Sequence, residues 1–197
     1  MTRIIAGTAG GTRLQVPDAG TRPTSDRVRE SLFAALESAG ALADARVLDL
    51  YAGSGALGLE ALSRGARSAD LVERSRPAAA VARRNASAVA RAGGLPLARV
   101  HESAVQSHLA RSSGPFDLVF TDPPYDLADA TMIADLVAVA PLLAEDGLVV
   151  VERARRSAPP RLDEAGLELV REKTYGDTAV WWAQPRLSQP AAESQSR

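Results

Sequence analysis

The chain has 197 residues, no cysteine and a formal net charge of −1, and these figures exclude several classes of protein. Without cysteine there is no disulfide framework, no thiolate zinc site, no iron–sulfur cluster and no cysteine nucleophile. No window approaches the roughly 20 apolar residues of a membrane span, and the N-terminus lacks the apolar core of a signal peptide, so we expect one soluble, cytoplasmic domain with a small appendage.

Residues 1–40 are predicted to form that appendage, and it begins with a hairpin. Two β-compatible stretches, 3–5 and 13–16, flank the glycine-rich residues 7–11, where the chain can reverse. Residues 1–30 carry five arginines against three acidic residues, a surplus of two positive charges. The guanidinium group binds phosphate well because its donors form a flat fork. The appendage is therefore basic in a chain that is nearly neutral.

A helix is predicted to complete the appendage. Thr24 or Ser25 can cap its first turn, and it ends near Ser38. Its apolar positions follow helical spacing and define one predicted buried face. These positions are Val28, Leu32, Phe33 and Leu36.

From residue 41 to residue 186, short β-branched runs alternate with alanine-rich helical segments, and this pattern predicts an α/β domain with a parallel sheet. The predicted strands are 46–50, 70–73, 98–101, 117–121 and 147–152. The predicted helices are 56–63, 77–92, 104–111 and 130–143. Residues 187–197 are polar and are expected to form a disordered tail.

The last two strand-like runs, 167–173 and 178–183, are separated by only four residues. So short a connection predicts a hairpin, with the two strands antiparallel to each other. The second run contains Trp181 and Trp182, whose rings must face opposite sides of the sheet. We expect both rings to pack in the core rather than to stack on a ligand.

A glycine-rich turn after the first predicted strand of the domain is a candidate ligand loop. Gly53, Gly55 and Gly58 satisfy G-x-G-x-x-G, and Glu73 follows Gly53 by 20 residues, which is the spacing of the dinucleotide fingerprint. Asp49, four residues before Gly53, favours a different ligand. A carboxylate there repels a pyrophosphate but attracts the sulfonium and ammonium groups of S-adenosylmethionine. An NAD-type enzyme and a glycine turn without a ligand are the alternatives.

The pattern D-x-x-x-G-x-G with an acidic residue after the next strand resembles the Rossmann-like S-adenosylmethionine-dependent methyltransferases. The resemblance implies a mostly parallel seven-stranded sheet that ends in an antiparallel hairpin. It also implies that Glu73 binds both ribose hydroxyls and that Ser103 lies near the adenine amino group. The predicted cofactor-binding residues are Asp49, Tyr51, Gly53, Gly55, Glu73, Ser103 and Ala104.

The string Asp122-Pro123-Pro124-Tyr125 follows the fourth predicted strand of the domain, at the sheet edge where α/β proteins bind ligands. An exocyclic amino nitrogen of a base is a poor nucleophile because its lone pair is delocalised into the ring. Asp122 and the Pro123 carbonyl can each accept one of its hydrogens, and Tyr125 offers a face for stacking. These three are the predicted catalytic residues. A plain Asp-Pro-Pro turn is the alternative.

The two histidines of the chain, His101 and His108, lack further metal ligands at the usual spacing. Imidazole is a common metal ligand, but a site needs several convergent donors. We therefore expect these histidines to be structural and expect no bound metal.

Together these segments resemble the bacterial RsmD-type ribosomal RNA guanine-N2 methyltransferases, over nearly the whole chain to about residue 183. The segments that carry the resemblance are 3–5, 22–33 (the most specific), 48–64, 121–125 and 175–178. It implies methylation of a guanine in small-subunit rRNA, guanine 966, by a monomer acting on a ribosomal particle with S-adenosylmethionine as cofactor. The alternatives are an adenine-N6 or cytosine-N4 methyltransferase of RNA or DNA, and a non-catalytic RNA-binding or NAD-binding protein.

The resemblance makes the arginines of the appendage candidates for contacts with RNA phosphates. The candidates are Arg3, Arg13, Arg22, Arg27 and Arg29. A packing helix with solvent-exposed arginines is the alternative. Thr24 and Arg27 can instead border the cofactor.

Overall fold

The computed structural model describes residues 2–17, 26–124 and 126–186. The appendage contributes two short strands and a helix, and an alternating α/β domain follows. The elements of the appendage are β1 (Thr2–Arg3), β2 (Arg13–Leu14) and α1 (Asp26–Ser38). Those of the domain are β3 (Arg46–Leu50), α2 (Ala56–Ser63), β4 (Ser68–Glu73), α3 (Arg76–Gly93), β5 (Arg99–Glu102), α4 (Val105–Leu109), β6 (Phe116–Thr121), α5 (Asp129–Val139), β7 (Leu143–Ala154), β8 (Leu167–Tyr175) and β9 (Thr178–Pro185).

The seven strands of the domain form one sheet in the order β5-β4-β3-β6-β7-β9-β8. The five strands from β5 to β7 are parallel, whereas β9 pairs antiparallel with both β7 and β8. The predicted fold class and its terminal hairpin are confirmed. The order reverses between β3 and β6, and the crevice at the carboxyl ends of such neighbouring strands is where ligands bind in this architecture.

Several predicted boundaries shift, and local contacts explain some of the shifts. The strands of the appendage are two residues each, not the predicted 3–5 and 13–16. The amide of Ile5 donates to the Glu60 carboxylate, and that of Gln15 to the Asn85 side chain, so neither continues the strand pairing. The predicted helix 130–143 ends at Val139 and continues as a 3₁₀ turn that contains a proline.

The sheet separates two apolar cores, one on each face. Trp182 belongs to one core and Trp181 to the other, and each ring is 3% exposed. The prediction that the two rings pack on opposite faces is therefore confirmed. The first core also contains Phe33 of α1, whose ring centroid lies 5.7 Å from that of Phe120 in β6.

Buried polar contacts hold the described part of the appendage against α2. Both oxygens of the fully buried Glu60 accept backbone amides, one from Ile5 at 2.7 Å and one from Ala6 at 3.0 Å. Ser63 accepts the Ala9 amide through its Oγ, which in turn donates to the Ala6 carbonyl. The described residues of the appendage thus share a core and a hydrogen-bond network with the domain.

The predicted buried face of α1 was wrong at one position. Leu32, Phe33 and Leu36 are buried as expected, but the fourth member of the face is Arg29 and not Val28. Val28 is half-buried and borders the cleft described below. Position 29 lies three residues before Leu32 and four before Phe33, so helical spacing selects it, but the prediction overlooked it because arginine is usually exposed.

None of the helices in the described ranges has both the length and the apolar character that a membrane span requires.

Candidate active site

A cleft of about 1810 Å³ opens at the carboxyl ends of β3, β4 and β6. We describe it by two ends. The glycine-loop end comprises residues 49–58 and Glu73, and the Asp122 end comprises residues 122–124 and the β8–β9 turn. The cleft brings together seven of the predicted catalytic and cofactor-binding residues from distant parts of the sequence: Asp49, Tyr51, Gly53, Glu73, Ala104, Asp122 and Pro123.

At the glycine-loop end, close packing requires glycine. Gly55 precedes α2 with a φ of 80°, in the left-handed region. A Cβ on Gly58 would lie 2.3 Å from the Leu71 side chain and 3.3 Å from that of Asp49. Helix α2 can therefore approach β3 and β4 only without a side chain at this position. Gly55 is buried and is not among the residues that line the cleft.

Two carboxylates occupy the amides of this loop. Asp49 accepts the Gly58 amide at 2.9 Å. Glu73 accepts the Gly53 amide at 3.0 Å and the Ser75 amide at 2.6 Å. In a dinucleotide site, amides at this helix N-terminus bind the pyrophosphate. Here two amides of the loop, those of Gly53 and Gly58, already bond to acidic side chains, and this negative charge argues against a bound pyrophosphate.

The protonation of Asp49 depends on its burial and on the charges beside it. Its side chain is 2% exposed, and this burial raises the pKa of Asp49 to about 7. The Gly58 amide opposes the rise, whereas the charges of Asp122 and Glu73 add to it. Asp49, Asp122 and Glu73 thus repel one another within the cleft, and a cationic group between them would favour the ionised form of Asp49.

Tyr51 adopts an uncommon backbone conformation at the start of the loop, with a φ of 61°. A side chain in this region costs about 1–3 kcal/mol and needs support from its surroundings. Its hydroxyl donates to the buried Asp135 of α5, which also accepts from Gln106 of α4 at 2.7 Å. Burial and then the Asp135 contact raise the pKa of the Tyr51 phenol, and burial raises the pKa of Asp135. Sequence reasoning missed Asp135 and Gln106.

Asn85 of α3 connects the appendage to the glycine-loop end. Its side-chain nitrogen donates to the carbonyls of Gln15 and Ser54, and its oxygen accepts the Gln15 amide, all at 2.9 Å. Sequence reasoning missed this residue too. A signal existed, because Asn85 is the one asparagine of the chain and falls on the apolar face of an alanine-rich helix.

The Asp122 end combines the loop after β6 with residues of α1 and of the β8–β9 hairpin. Asp122 and Pro123 follow β6 directly, and the Leu127 amide donates to the Pro124 carbonyl at 2.9 Å. Arg29 of α1 and the turn after Tyr175 also line the cleft.

A polar contact connects α1 with the β8–β9 hairpin. Ser31 donates to the Tyr175 hydroxyl at 3.1 Å, and Lys173 donates to Ser31 at 3.2 Å. The Asp122 end therefore depends on contacts between residues more than a hundred positions apart in sequence.

Some predicted site residues lie elsewhere. Ser103 lines a separate hollow of about 540 Å³, and its hydroxyl donates to the Ala104 carbonyl. The structure therefore does not place Ser103 in the cleft. Arg29 is 1% exposed, so it is not on the surface where an RNA backbone would reach it. Three candidate arginines are exposed and lie outside the cleft lining: Arg3, Arg13 and Arg27. Tyr125, Arg22, Thr24 and Ser25 fall outside the described residues, as does the tail 187–197.

The two histidines meet in the separate hollow. Their ring centroids are 4.5 Å apart, and His101 bonds Asp70, which Arg99 also holds. Burial lowers the pKa of His108, and the neighbouring His101 lowers it further. In the described part of the chain, no group of three or more acidic or histidine side chains is arranged to hold a metal ion.

The fold and the cleft together define a Rossmann-like methyltransferase. The family model described as "Conserved hypothetical protein 95" matches residues 2–184. The chain is 41% identical over 195 residues to "Ribosomal RNA small subunit methyltransferase D" of Escherichia coli, which covers 98% of this chain and 92% of that protein. The Haemophilus influenzae protein of the same name is 32% identical, and the match covers 88% of this chain and 89% of that protein. This chain belongs to the same family, the RsmD type.

A solved structure agrees with this assignment. The Escherichia coli protein yhhF superposes on this chain with a TM-score of 0.78 at 40% sequence identity. The match covers 93% of this chain and 97% of that one, so the appendage and the domain are both part of the shared fold.

Proposed function

We propose that this protein transfers a methyl group from S-adenosylmethionine to the exocyclic N2 of a guanine in small-subunit rRNA. The observation that carries the proposal is the position of Asp122 and Pro123 in the same cleft as the acidic glycine loop. The strands that carry the two motifs are direct neighbours, with Asp49 paired to Phe120 and Leu50 to Thr121. A methyl donor and its acceptor must meet within a few ångströms, and this pairing supports that.

The residues at the glycine-loop end fit S-adenosylmethionine better than a dinucleotide. Asp49 is buried, its pKa is raised to about 7, and two further carboxylates lie near it, so a cation is the ligand that relieves their repulsion. Asp49 would face the cationic groups, and Glu73 the ribose hydroxyls. When bound, the cofactor supplies an electrophilic methyl group on its sulfonium.

The Asp122 end would hold the amino group that receives the methyl. Asp122 accepts one N–H and the Pro123 carbonyl accepts the other, so the nitrogen lone pair is directed into the cleft. Consecutive prolines limit the motion of this loop. Asp122 can also take up the proton that the nitrogen loses after transfer. Tyr125 is proposed to stack on the base, a contact worth about 1–3 kcal/mol.

The choice of RNA and of guanine rests on the family. The Escherichia coli relative is named for small-subunit ribosomal RNA, and the resemblance points to guanine 966 within it. The exposed arginines of the appendage, Arg3, Arg13 and Arg27, would contact phosphates of a ribosomal particle. The two acceptors alone would also suit adenine N6 or cytosine N4, so the product must be identified chemically.

Two experiments test the proposal separately. S-adenosylhomocysteine should raise the melting temperature, because a ligand of the folded state stabilises by about 2.7 kcal/mol at a hundredfold excess over Kd. NAD should have no effect, and the reverse pattern would refute the cofactor. Mass spectrometry of rRNA nucleosides from cells with and without the gene should show loss of N2-methylguanosine. Loss of N6-methyladenosine or N4-methylcytidine instead would refute guanine as the substrate.

A further inference from the structure

We infer that Glu152 accepts the N1–H of the target base and thereby selects guanine over the other bases that carry an exocyclic amino group. The inference rests on the proposed function, since it assumes a base whose amino group is held by Asp122 and Pro123. Its basis is a buried carboxylate that lies beside Asp122 in the cleft and that the methyl-transfer step does not use.

The register of two neighbouring strands brings Glu152 beside Asp122. In β6 and β7, which are parallel, the last paired residues are Thr121 and Val151. Asp122 and Glu152 each come next in the chain. Neighbouring strands lie about 4.8 Å apart. The backbones of Asp122 and Glu152 therefore reach the same level of the sheet, side by side.

The Glu152 side chain belongs to the cleft and is largely shielded from bulk water. Residues two apart in a strand share a face, so Glu152 lies on the same face as Val150, which packs in the core that contains Phe33 of α1. Glu152 is 7% exposed and lines the cleft, as Asp122 does. A carboxylate can accept about four hydrogen bonds, so the interaction that Glu152 makes within the protein is compatible with a substrate contact.

The order of the strands assigns Glu152 to the base and not to the cofactor. The sheet runs β3-β6-β7, so Asp122, after β6, lies between Asp49 of β3 and Glu152 of β7. The glycine-loop end is on the β3 side of Asp122. A base held by Asp122 therefore has the cofactor on one side and Glu152 on the other.

The ring nitrogen beside the amino group distinguishes guanine chemically. Guanine N1, next to the 2-amino group, carries a hydrogen and is a donor. Adenine N1 and cytosine N3, the ring nitrogens next to the amino groups of those bases, are acceptors. An ionised carboxylate can only accept, so Glu152 attracts the N1–H of guanine and repels the lone pair of the other two bases. In a site with little water this repulsion is weakly screened.

The test replaces the target guanine with 2-aminopurine, which keeps the 2-amino group and has no N1–H. The labelled product first identifies the target position, and particles are then reconstituted from rRNA with either base there. In single-turnover reactions, the unmodified protein should methylate guanine about 10- to 100-fold faster than 2-aminopurine. In Glu152→Gln the two rates should come within about threefold of each other, because a neutral amide can accept from guanine N1–H or donate to the bare N1 of 2-aminopurine.

Two further variants separate this role from a structural one. Glu145→Gln is the matched control, because it makes the same change on the same strand at an exposed position outside the cleft lining, and it should keep the preference. Glu152→Asp keeps the charge and should retain part of the preference. 2-Aminopurine also lacks the guanine oxygen, so the dependence of the preference on residue 152 is the decisive quantity. The Kd for S-adenosylhomocysteine should stay within about threefold in all variants.

The outcomes also separate this inference from the proposed function. Equal losses on both bases in Glu152→Gln, with the preference intact, would overturn the inference and assign Glu152 to the fold. Equal rates with the unmodified protein would overturn it while leaving guanine methylation in place. Absence of label in any guanosine would refute the proposed function as well. If Glu152→Gln does not fold, a crystal structure of the unmodified protein with S-adenosylhomocysteine and a guanosine-containing RNA decides the question, because it must show the Glu152 carboxylate within hydrogen-bond distance of N1.

Discussion

The two ends of the cleft are built in different ways. At the glycine-loop end, strand, turn and helix follow one another in sequence, and Asp49 bonds the amide of Gly58 nine positions later. At the Asp122 end, residues of α1 and the terminal hairpin line the cleft together with the loop after β6, and α1 meets the hairpin through a bond between Ser31 and Tyr175, 144 positions apart. The backbone of the first end, from Asp49 to Gly58, follows local sequence, although its side chains also bond to later helices. The second forms only when both ends of the chain have folded onto the sheet.

This difference predicts separable defects. Substitutions at the Asp122 end should reduce methyl transfer and leave cofactor affinity nearly unchanged, whereas substitutions at the glycine-loop end should weaken cofactor binding first.

Asp122→Ala should reduce kcat about a thousandfold, because one of the two acceptors that orient the amino group is lost, a loss comparable to removing an oxyanion-hole donor. The Kd for S-adenosylhomocysteine should stay within severalfold. Single-turnover methyl transfer and calorimetry measure the two quantities. Asp126→Asn is the control, since Asp126 also lines the cleft and is exposed. Near-normal turnover in Asp122→Ala would contradict the acceptor mechanism.

Asn85→Ala should lower the free energy of unfolding by about 1–3 kcal/mol, because it removes a buried side chain that makes three hydrogen bonds to the backbone of Gln15 and Ser54. Cofactor affinity should fall as the loop at Ser54 loosens. Urea denaturation with and without S-adenosylhomocysteine measures both effects. Ser87→Ala changes the same helix at a hydroxyl that bonds only its own backbone, and it should be almost neutral. If the two variants unfold alike, Asn85 does not hold the loop.

Cofactor affinity should depend on the protonation of Asp49. The pKa of its carboxyl is raised to about 7, and the ligand's ammonium favours the ionised form, so affinity should rise with pH up to about 7 and then level off. Between pH 7 and pH 6 the ionised fraction of Asp49, and with it the affinity, should fall about five- to sixfold. Asp49→Asn should bind more weakly and without this pH dependence. A wild-type Kd that is constant between pH 6 and pH 8 would show that Asp49 does not face the cation.

The same carboxyl should affect stability in the opposite sense. The folded pKa of Asp49 lies above its ordinary value of 3.8, so the folded state holds this proton more tightly than the unfolded state does. In the absence of ligand, its contribution to the free energy of unfolding is therefore lost as pH rises from about 4 to about 7. Urea denaturation across this range should show a smaller loss in Asp49→Asn.

The smallest effect concerns the appendage. Replacing Arg13 or Arg27 by glutamine should weaken RNA binding modestly and flatten the log-affinity against log-salt slope by about 0.7–0.9 for each lost phosphate contact. Point variants suit this test better than truncation, because Ile4 and Leu14 of the same segment are buried in the core. Arg161→Gln, at an exposed arginine paired with Glu164, is the control. Equal slopes in all three variants would assign these arginines no role in RNA binding.

The sequence allowed prediction of the structural features that depend on residues close together in the chain. The spacing of Asp49, Gly53 and Glu73 predicted a glycine turn between a strand and a helix, and the structure has that turn between β3 and α2, because strand, turn and helix impose fixed geometry over a few residues. That this turn binds a ligand remains a prediction. The terminal hairpin was also predictable, although its turn is shorter than expected, only residues 176–177.

The contacts that the sequence did not reveal join residues from distant parts of the chain. Asp135 and Gln106 meet Tyr51 from two later helices, and no local pattern indicates this. Arg29 was read as a surface residue because most arginines are exposed, although its helical register already placed it beside Leu32 and Phe33. The position of Ser103 depends on how β5 passes into α4, and a shift of one residue there moves a side chain to the other side of the sheet edge.

The most direct test of the account is a single reaction on small-subunit particles from cells that lack the gene. The purified protein is incubated with these particles and S-adenosylmethionine labelled in its methyl group, and the nucleosides are then identified by mass spectrometry. We expect label in N2-methylguanosine with the unmodified protein and almost none with Asp122→Ala. Label in another nucleoside, or equal labelling by the two proteins, would contradict it.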